Sequence, residues 1–261
     1  MDVKFLFLIP TLNSSVNLKN LLNSLRCQTY QNWRILFVDG NSKTKHQKWL
    51  EKTCSKDNRL SWVKQEGRKG IYPAMNYGFK EVKNNEWLLF WGSDDYATNK
   101  NMLERLKNKI IKLNKNEKKI DIIFAKASYI NDKKRIVRSS KFNFIFNYKF
   151  SLFLGNCPPH QATLLGPRAI KLVNNFSNNY FLASDLDYFC RLSLHKSLNF
   201  YFYDSDIVYM GIGGISQRKN KERFIEVLNI YRKYFGFLFF MPYILRYLLR
   251  FYSLIINFRL W

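Results

Sequence analysis

The chain has 261 residues, 47% of them hydrophobic and 17% aromatic, enough to bury a substantial core and to exclude a disordered tail. Lys and Arg number 43 against 19 Asp and Glu, a net charge of +24 that favours an anionic partner such as a phosphorylated substrate, acidic lipid or nucleic acid. Cys27, Cys54, Cys157 and Cys190 form no CxxC pair, which argues against a zinc site or a disulfide framework.

Residues 3–9 are an apolar run broken only by Lys4 and predict a strand, so no secretory signal is expected at the start. Pro10, Thr11 and Asn13 make a loop. Leu18, Leu21, Leu22 and Leu25 then fall at i, i+3, i+4 and i+7, the stripe of an amphipathic helix that Ser14 or Ser15 could cap. A second strand at 34–38 ends at Asp39-Gly40 and leads to a helix over 45–54. A third strand at 60–64 passes through a loop with Gly67 and Gly70 to a helix around 74–82. A fourth strand at 87–91 delivers Asp94 and Asp95 and is followed by a helix over 101–113. This alternation implies an α/β fold, a Rossmann-like and mostly parallel sheet with helices on both faces.

In such sheets ligands bind beyond the carboxyl ends of the strands. Thr11, Asn13, Asp39, Asp94 and Asp95 all follow strands there, so several polar groups converge on one edge. Past residue 121 the rhythm changes. Strands at 122–127 and 135–139 flank a turn at Asn131-Asp132, 161–165 reads as another strand, and 185–194 as a helix. No repeat or low-complexity linker interrupts the chain, so residues 1–220 are expected to form one domain and 221–261 a helical tail.

The tail from residue 235 is apolar and aromatic but carries Arg246, Arg250 and Arg259. A membrane span wants about 20 residues with few or no charges. Arg246, Arg250, Ser253 and Asn257 instead make one narrow polar stripe, the pattern of a helix lying in a membrane interface. The alternative is an amphipathic helix packed on the domain itself.

Adjacent carboxylates in an apolar site repel each other unless a positive charge sits beside them. Asp94 and Asp95 therefore suggest a divalent cation, Mn2+ or Mg2+, whose shell substrate phosphates and water would complete. Gly-Ser-Asp-Asp is also good turn chemistry, so the pair alone does not decide between the two.

Several segments carry a resemblance in a fixed order. "FLIPTLNSSVNLKNLLNSLRCQTYQNWRILFVDGNS" (5–42), "EGRKGIYPAMNYGF" (66–79), "WLLFWGSDD" (87–95), "HQATLLGPRAI" (160–170), "LASDLDYFCRL" (182–192) and "GIGGIS" (211–216) resemble the elements of family 2 glycosyltransferases. These are inverting enzymes of GT-A fold, here of the bacterial cell-surface polysaccharide type. The resemblance implies a sugar transferred from a nucleotide-sugar donor, UDP-linked by preference, to a glycan or lipid-linked acceptor.

"GSDD" sits where the family has its DXD motif. Asp95 would hold the metal, and Asp94 would lie near the ribose or donor sugar. Thr11, Asn13 and Asp39 would line the base and ribose pocket, with Arg68 on the donor side. Asp185 falls at the place of the catalytic base, with Asp187 as the competing candidate. His160, Gln161 and Arg191 would shape the acceptor side. The chain departs from the pattern at Arg68 and Pro73, where relatives often carry acidic residues, which keeps open a catalytically silent nucleotide-binding subunit.

The resemblance and tail together imply a cytoplasmic enzyme, peripheral on the inner face of the cytoplasmic membrane. A nucleic-acid-binding protein would fit the charge, but no zinc spacing, RNP-like run or basic-helix motif supports it, so no nucleic-acid partner is expected.

Overall fold

The computed structural model describes residues 2–115, 119–131, 135–140, 142, 147–211 and 220–258. Gly213, Gly214, Arg218, Lys219, Arg259 and Asp132 of the predicted turn lie outside these, as do the side chains of Arg250, Ser253 and Asn257.

The first half alternates as the sequence predicts. β1 (Lys4–Thr11), α1 (Ser15–Arg26), β2 (Trp33–Asp39), α2 (Thr44–Cys54), β3 (Leu60–Lys64), α3 (Ile71–Glu81) and β4 (Glu86–Phe90) follow one another, then β5 (Tyr96–Ala97) and α4 (Met102–Asn114). β1, β2 and β4 are largely apolar because both their faces are covered, whereas β3 at the sheet edge is partly exposed. Leu6 and Leu8 of β1, with Leu36, Val38, Leu88 and Phe90, face Tyr72, Met75 and Phe79 of α3. Phe5, Phe7 and Ile9, with Ile35, Phe37 and Leu89, face the α1 leucines and Leu103 and Leu106 of α4. One strand thus feeds two cores through its period of two.

β1, β2, β3 and β4 pair in parallel, with Thr11 opposite Asp39 in register. α3 begins at Ile71, three residues before the predicted start; Pro73 sits in its first turn, where no backbone N–H is needed. Ser14 precedes α1 but caps it with no side-chain bond, because its hydroxyl turns to Thr11 instead.

The second half completes a nine-stranded sheet among the described residues. It contains β6 (Ile122–Ile130), β7 (Ile136–Ser139), α5 (Tyr148–Phe153), β8 (Thr163–Leu165), α6 (Pro167–Leu172), α7 (Ser184–Leu194) and β9 (Phe200–Gly211). The order is β3-β2-β1-β4-β8-β6-β9-β5, with β7 on β6. β8 runs antiparallel to both β4 and β6, and β6 is parallel to β9. The predicted strand at 161–165 is a single 3-10 turn, His160–Ala162, followed by β8. All four cysteines are free.

Two helices end the described chain, α8 (Asn220–Phe235) and α9 (Phe240–Phe258), and α9 packs on α8 and α5. Its seat is specific. Gly155 closes α5 in the left-handed conformation, φ 74°, with Asn156 N–H donating to Ser151 O and Gly155 N–H to Leu152 O, each 2.9 Å. A Cβ at Gly155 would lie 2.4 Å from the Arg246 nitrogen and 2.7 Å from its Cα. Gly155→Ala combines a left-handed penalty of about 1–2 kcal/mol with this backbone clash, and should lower Tm by roughly 4 °C or more. A melting curve identical to wild type would show that α9 does not rest on this turn.

Candidate active site

β1, β2 and β4 are parallel, so Thr11, Asp39 and the 91–95 turn reach the same edge of the sheet. At this edge Asp39 is fully buried. Its Oδ2 accepts from Ser42 N–H at 3.0 Å and from Gln47 Nε2 at 3.2 Å. Its Oδ1 has no hydrogen-bond partner among the described residues and lies 3.8 Å from His46 Nε2. Thr11 Oγ1 is 2.9 Å from the same His46 nitrogen and 2.7 Å from Ser14 Oγ. Asn13, held at φ 51°, donates its N–H to Ser42 Oγ at 2.8 Å and accepts from Lys43 N–H at 2.9 Å. Thr11, Asn13 and Asp39 are therefore joined in one polar network, buried at Thr11 and Asp39 and exposed at Asn13, with a carboxylate oxygen that accepts no hydrogen bond among the described residues.

His46 completes that network, although its position in the sequence gave no signal of it. Burial lowers its proton affinity more than the Asp39 charge raises it, so the imidazole is neutral near pH 7. Arg68 stands apart. It is exposed in the β3–α3 loop, and its guanidinium has no partner among the described residues.

Asp94 and Asp95 follow β4 in a tight turn. The Asp95 carboxylate is buried, with Oδ2 accepting Gly92 N–H at 2.6 Å, whereas Asp94 is exposed. Small residues make the room: a Cβ at Gly211 would meet Asp94 Oδ2 at 2.5 Å, and one at Gly92 would meet Asp94 Oδ1 at 3.0 Å. Burial, then the neighbouring Asp94 charge, push the Asp95 carboxyl well above the ordinary range. No cationic side chain pairs with Asp94 or Asp95 among the described residues, and a divalent cation would supply the positive charge that lets both ionise. No group of three or more His, Cys, Asp or Glu able to hold a metal is found among the described residues. The donor set thus fits an ion held by one or two carboxylates and finished by substrate phosphate and water.

Of the residues expected on the acceptor side, His160 meets Asp185. The turn at His160–Ala162 is tied to the end of β4, because Trp91 Nε1–H donates to Gln161 O at 2.9 Å. His160 Nδ1 then lies 3.4 Å from Asp185 Oδ2. Tyr72 OH donates to Asp185 Oδ1 at 3.1 Å, and Leu186 N–H to the same oxygen at 2.8 Å. The Asp185 side chain is 28% exposed, so the carboxylate is pinned yet reachable. Burial raises its proton affinity, but the His160 hydrogen bond and charge, the Arg246 charge and the Leu186 N–H outweigh this and hold the carboxyl below its ordinary value. Ahead of α7, Glu226 of α8 accepts the N–H groups of Phe181, Leu182 and Ala183 at 2.8, 2.8 and 2.9 Å, which fixes the approach to Asp185.

Asp187 is placed differently. Two residues on, about 200° around a helix, its side chain is fully buried. It accepts from Arg191 Nε at 2.9 Å, Lys233 Nζ at 3.2 Å and Tyr234 OH at 2.8 Å. Arg191 spends its remaining donors on Asn175, at 3.1 Å to Oδ1 and 2.6 Å to O. Asp187 knits α7 to α8, and Arg191 ties α7 to the segment after α6. Tyr72 and Glu226 join the site from positions that no sequence pattern singles out, and Arg246 from the polar stripe of the tail.

A cavity of about 210 Å³ lined by Val3, Trp87, Asp121 and Arg168 opens at the amino ends of β1, β4 and β6, away from all these groups.

Residues 7–164 match the family model described as Glycosyl transferase family 2. Among curated relatives, an uncharacterized glycosyltransferase of Rickettsia felis is 27% identical over 180 residues, covering 68% of this chain and 28% of that protein. A PGL/p-HBAD biosynthesis glycosyltransferase of Mycobacterium bovis is 24% identical over 227 residues, covering 86% of this chain and 83% of that one. This chain therefore spans under a third of the Rickettsia relative. Among solved structures, S. aureus TarS 1-349 in complex with UDP superposes with a TM-score of 0.65 at 21% identity, covering 88% of this chain and 64% of that one. A mannosyltransferase from Pyrobaculum calidifontis in complex with GDP-Man and Mn2+ gives 0.62 at 11% identity, covering 89% and 64%. These likenesses are of fold: a GT-A-type sheet flanked by helices.

Proposed function

Because the chain belongs to glycosyl transferase family 2, we propose that this glycosyltransferase moves a sugar from a UDP-sugar to a lipid-linked or surface-glycan acceptor by one inverting displacement. The observation that carries this is the shared edge: a buried base-side network at Asp39, a carboxylate pair at Asp94 and Asp95, and a pinned, ionised Asp185. The UDP named in the TarS complexes supports the choice of nucleotide.

Thr11, Asn13 and Asp39 hold the nucleoside, the free Asp39 oxygen accepting an N–H of the base. Asp94 and Asp95 hold Mn2+ or Mg2+, which when bound neutralises the charge developing on the departing diphosphate. Asp94 is the carboxylate a cation reaches directly in this structure; Asp95 supports it from beneath. Asp185 takes the proton from the acceptor hydroxyl as its oxygen attacks the anomeric carbon and the bond to the diphosphate breaks. His160 and Tyr72 orient that carboxylate, while Asp187 and Arg191 brace its helix. Arg68, on its exposed loop, can close on the donor.

The tail adds a location. Among the described residues no helix is long and apolar enough to cross a membrane. Yet Phe237, Phe240, Ile244, Leu248 and Phe251 are 47–83% exposed along one side, while Pro242, Tyr243, Arg246 and Tyr247 turn inward. This outward apolar face lies in the inner surface of the cytoplasmic membrane, aided by roughly 1 kcal/mol for each Lys or Arg near an anionic leaflet. The variant Phe237→Ser, Ile244→Ser, Leu248→Ser should stop floating with phosphatidylglycerol vesicles while binding UDP as wild type does. Wild-type protein left at the bottom of the gradient would contradict the membrane placement.

The activity is tested by offering labelled UDP-N-acetylglucosamine, UDP-glucose and UDP-galactose, with Mn2+, to bacterial membrane extract. Transfer of label from one of them into lipid or glycan is expected. Release from none of them would overturn the UDP-sugar assignment.

A further inference from the structure

One half-buried cation takes no part in the transfer step itself. Arg246 lies on the inward side of α9, the only charged residue from 240 to 249 in an otherwise apolar and aromatic stretch. The Gly155 seat fixes its backbone, and its Nη1 makes one long hydrogen bond, 3.4 Å, to the Tyr231 hydroxyl. Its Nε is shut off from solvent with no partner among the described residues.

Three other half-buried arginines meet carboxylates. Arg34 meets Glu86 through two bonds of 2.7 and 2.8 Å, and Arg59 meets Asp57 through two of 2.9 Å. Arg191 meets Asp187. Arg246 has no carboxylate at ion-pair distance among the described residues; its partner Tyr231 stands on α8, the helix whose Glu226 holds the 181–183 backbone just ahead of Asp185. An unpaired buried guanidinium is costly unless an anion arrives to satisfy it. Its planar fork matches phosphoryl oxygens in particular.

We propose that Arg246, with the Tyr231 hydroxyl, binds a phosphoryl group of the substrate beside the Asp185 carboxylate. The inference rests on the glycosyltransferase reading and deepens it, because it gives the acceptor a chemical class: a glycan or lipid carrying a phosphate or diphosphate near the hydroxyl that is glycosylated. The helix that presents an apolar face outward thereby presents a phosphate-binding cation inward, as a lipid-linked phosphate at an interface requires. The same fork could serve the donor's diphosphate, and the experiment separates the two.

Full-length wild type, Arg246→Gln and Arg246→Lys are titrated calorimetrically with geranyl diphosphate, with geraniol as the uncharged control, and separately with UDP plus Mn2+. Wild type should bind geranyl diphosphate and not geraniol. Arg246→Gln should weaken that binding about tenfold or more, the size of a charge-assisted hydrogen-bond pair, and Arg246→Lys by less. UDP affinity kept within about twofold assigns the phosphoryl group to the acceptor. A parallel loss of UDP affinity assigns it to the donor and still supports phosphoryl binding by Arg246. Unaltered affinity for both ligands in either variant, with an unchanged melting temperature, overturns the inference and leaves Arg246 a structural contact of α9. Failure of wild type to bind UDP at all counts against the nucleotide-sugar reading itself, a result distinct from UDP binding with anion affinity indifferent to Arg246.

Discussion

Asp185→Asn should lower kcat for sugar transfer by about 10³-fold while leaving UDP affinity unchanged, within the range ascribed to a positioned general base. The substitution keeps the size of the side chain and an oxygen to accept from Tyr72 and Leu186, but removes the proton acceptor. The pH dependence follows from the environment of the carboxyl. Burial raises its pKa, and the His160 and Arg246 charges more than compensate, so the net shift is downward. A base with a depressed pKa stays ionised at neutral pH and is lost only as pH falls through and below the ordinary carboxylate range. The acid limb of kcat/KM should therefore lie below that range in wild type. Near-normal transfer by Asp185→Asn would move the role elsewhere. Asp187→Asn, by contrast, breaks a buried network with Lys233 and Tyr234 and should be seen first in stability.

Asp94→Ala should bring UDP affinity in Mn2+ down to its metal-free level and cut transfer roughly 100-fold or more, because several kcal/mol of charge stabilisation on the diphosphate are lost with the ion. Asp95→Asn retains the acceptor for Gly92 N–H and removes only a buried charge, so its loss should be smaller. The sequence resemblance assigns the metal to Asp95, and the structure turns that carboxylate inward. A larger loss in Asp95→Asn than in Asp94→Ala would restore the resemblance's assignment and require the turn to rearrange when metal binds. The measurements are calorimetry with UDP with and without Mn2+, and steady-state transfer for each variant.

The parallel half of the sheet was legible because its strands are short apolar runs punctuated by helical leucine stripes. Thr11, Asn13 and Asp39 could be placed together because parallel strands deliver their carboxyl ends to one edge. The remainder depends on contacts between residues far apart in the chain. His46 joins Asp39 from a solvated helix whose pattern gives no hint of a buried imidazole. Glu226 and Arg246 reach the α7 region across 40 and 60 residues of sequence, and no local period marks such contacts. The resemblance sets Asp185 first and Asp187 as its competitor; helix rotation then gives them different surroundings, Asp185 beside His160 and Tyr72 and Asp187 in ion pairs with Arg191 and Lys233. The tail was read as either membrane-facing or packed on the domain. In the structure α9 packs on the domain through its Arg246 side, and its other, apolar side is exposed; the membrane contact proposed for that side rests on this exposure.

The central claim is a cation-dependent nucleotide site at the carboxyl edge of β1, β2 and β4. Its most direct test is calorimetric titration of the full-length chain with UDP, GDP, CDP and dTDP, each with and without Mn2+. The account predicts binding of UDP alone, and only when Mn2+ is present. Binding of none of the four, or binding of UDP that is indifferent to the metal, would contradict it.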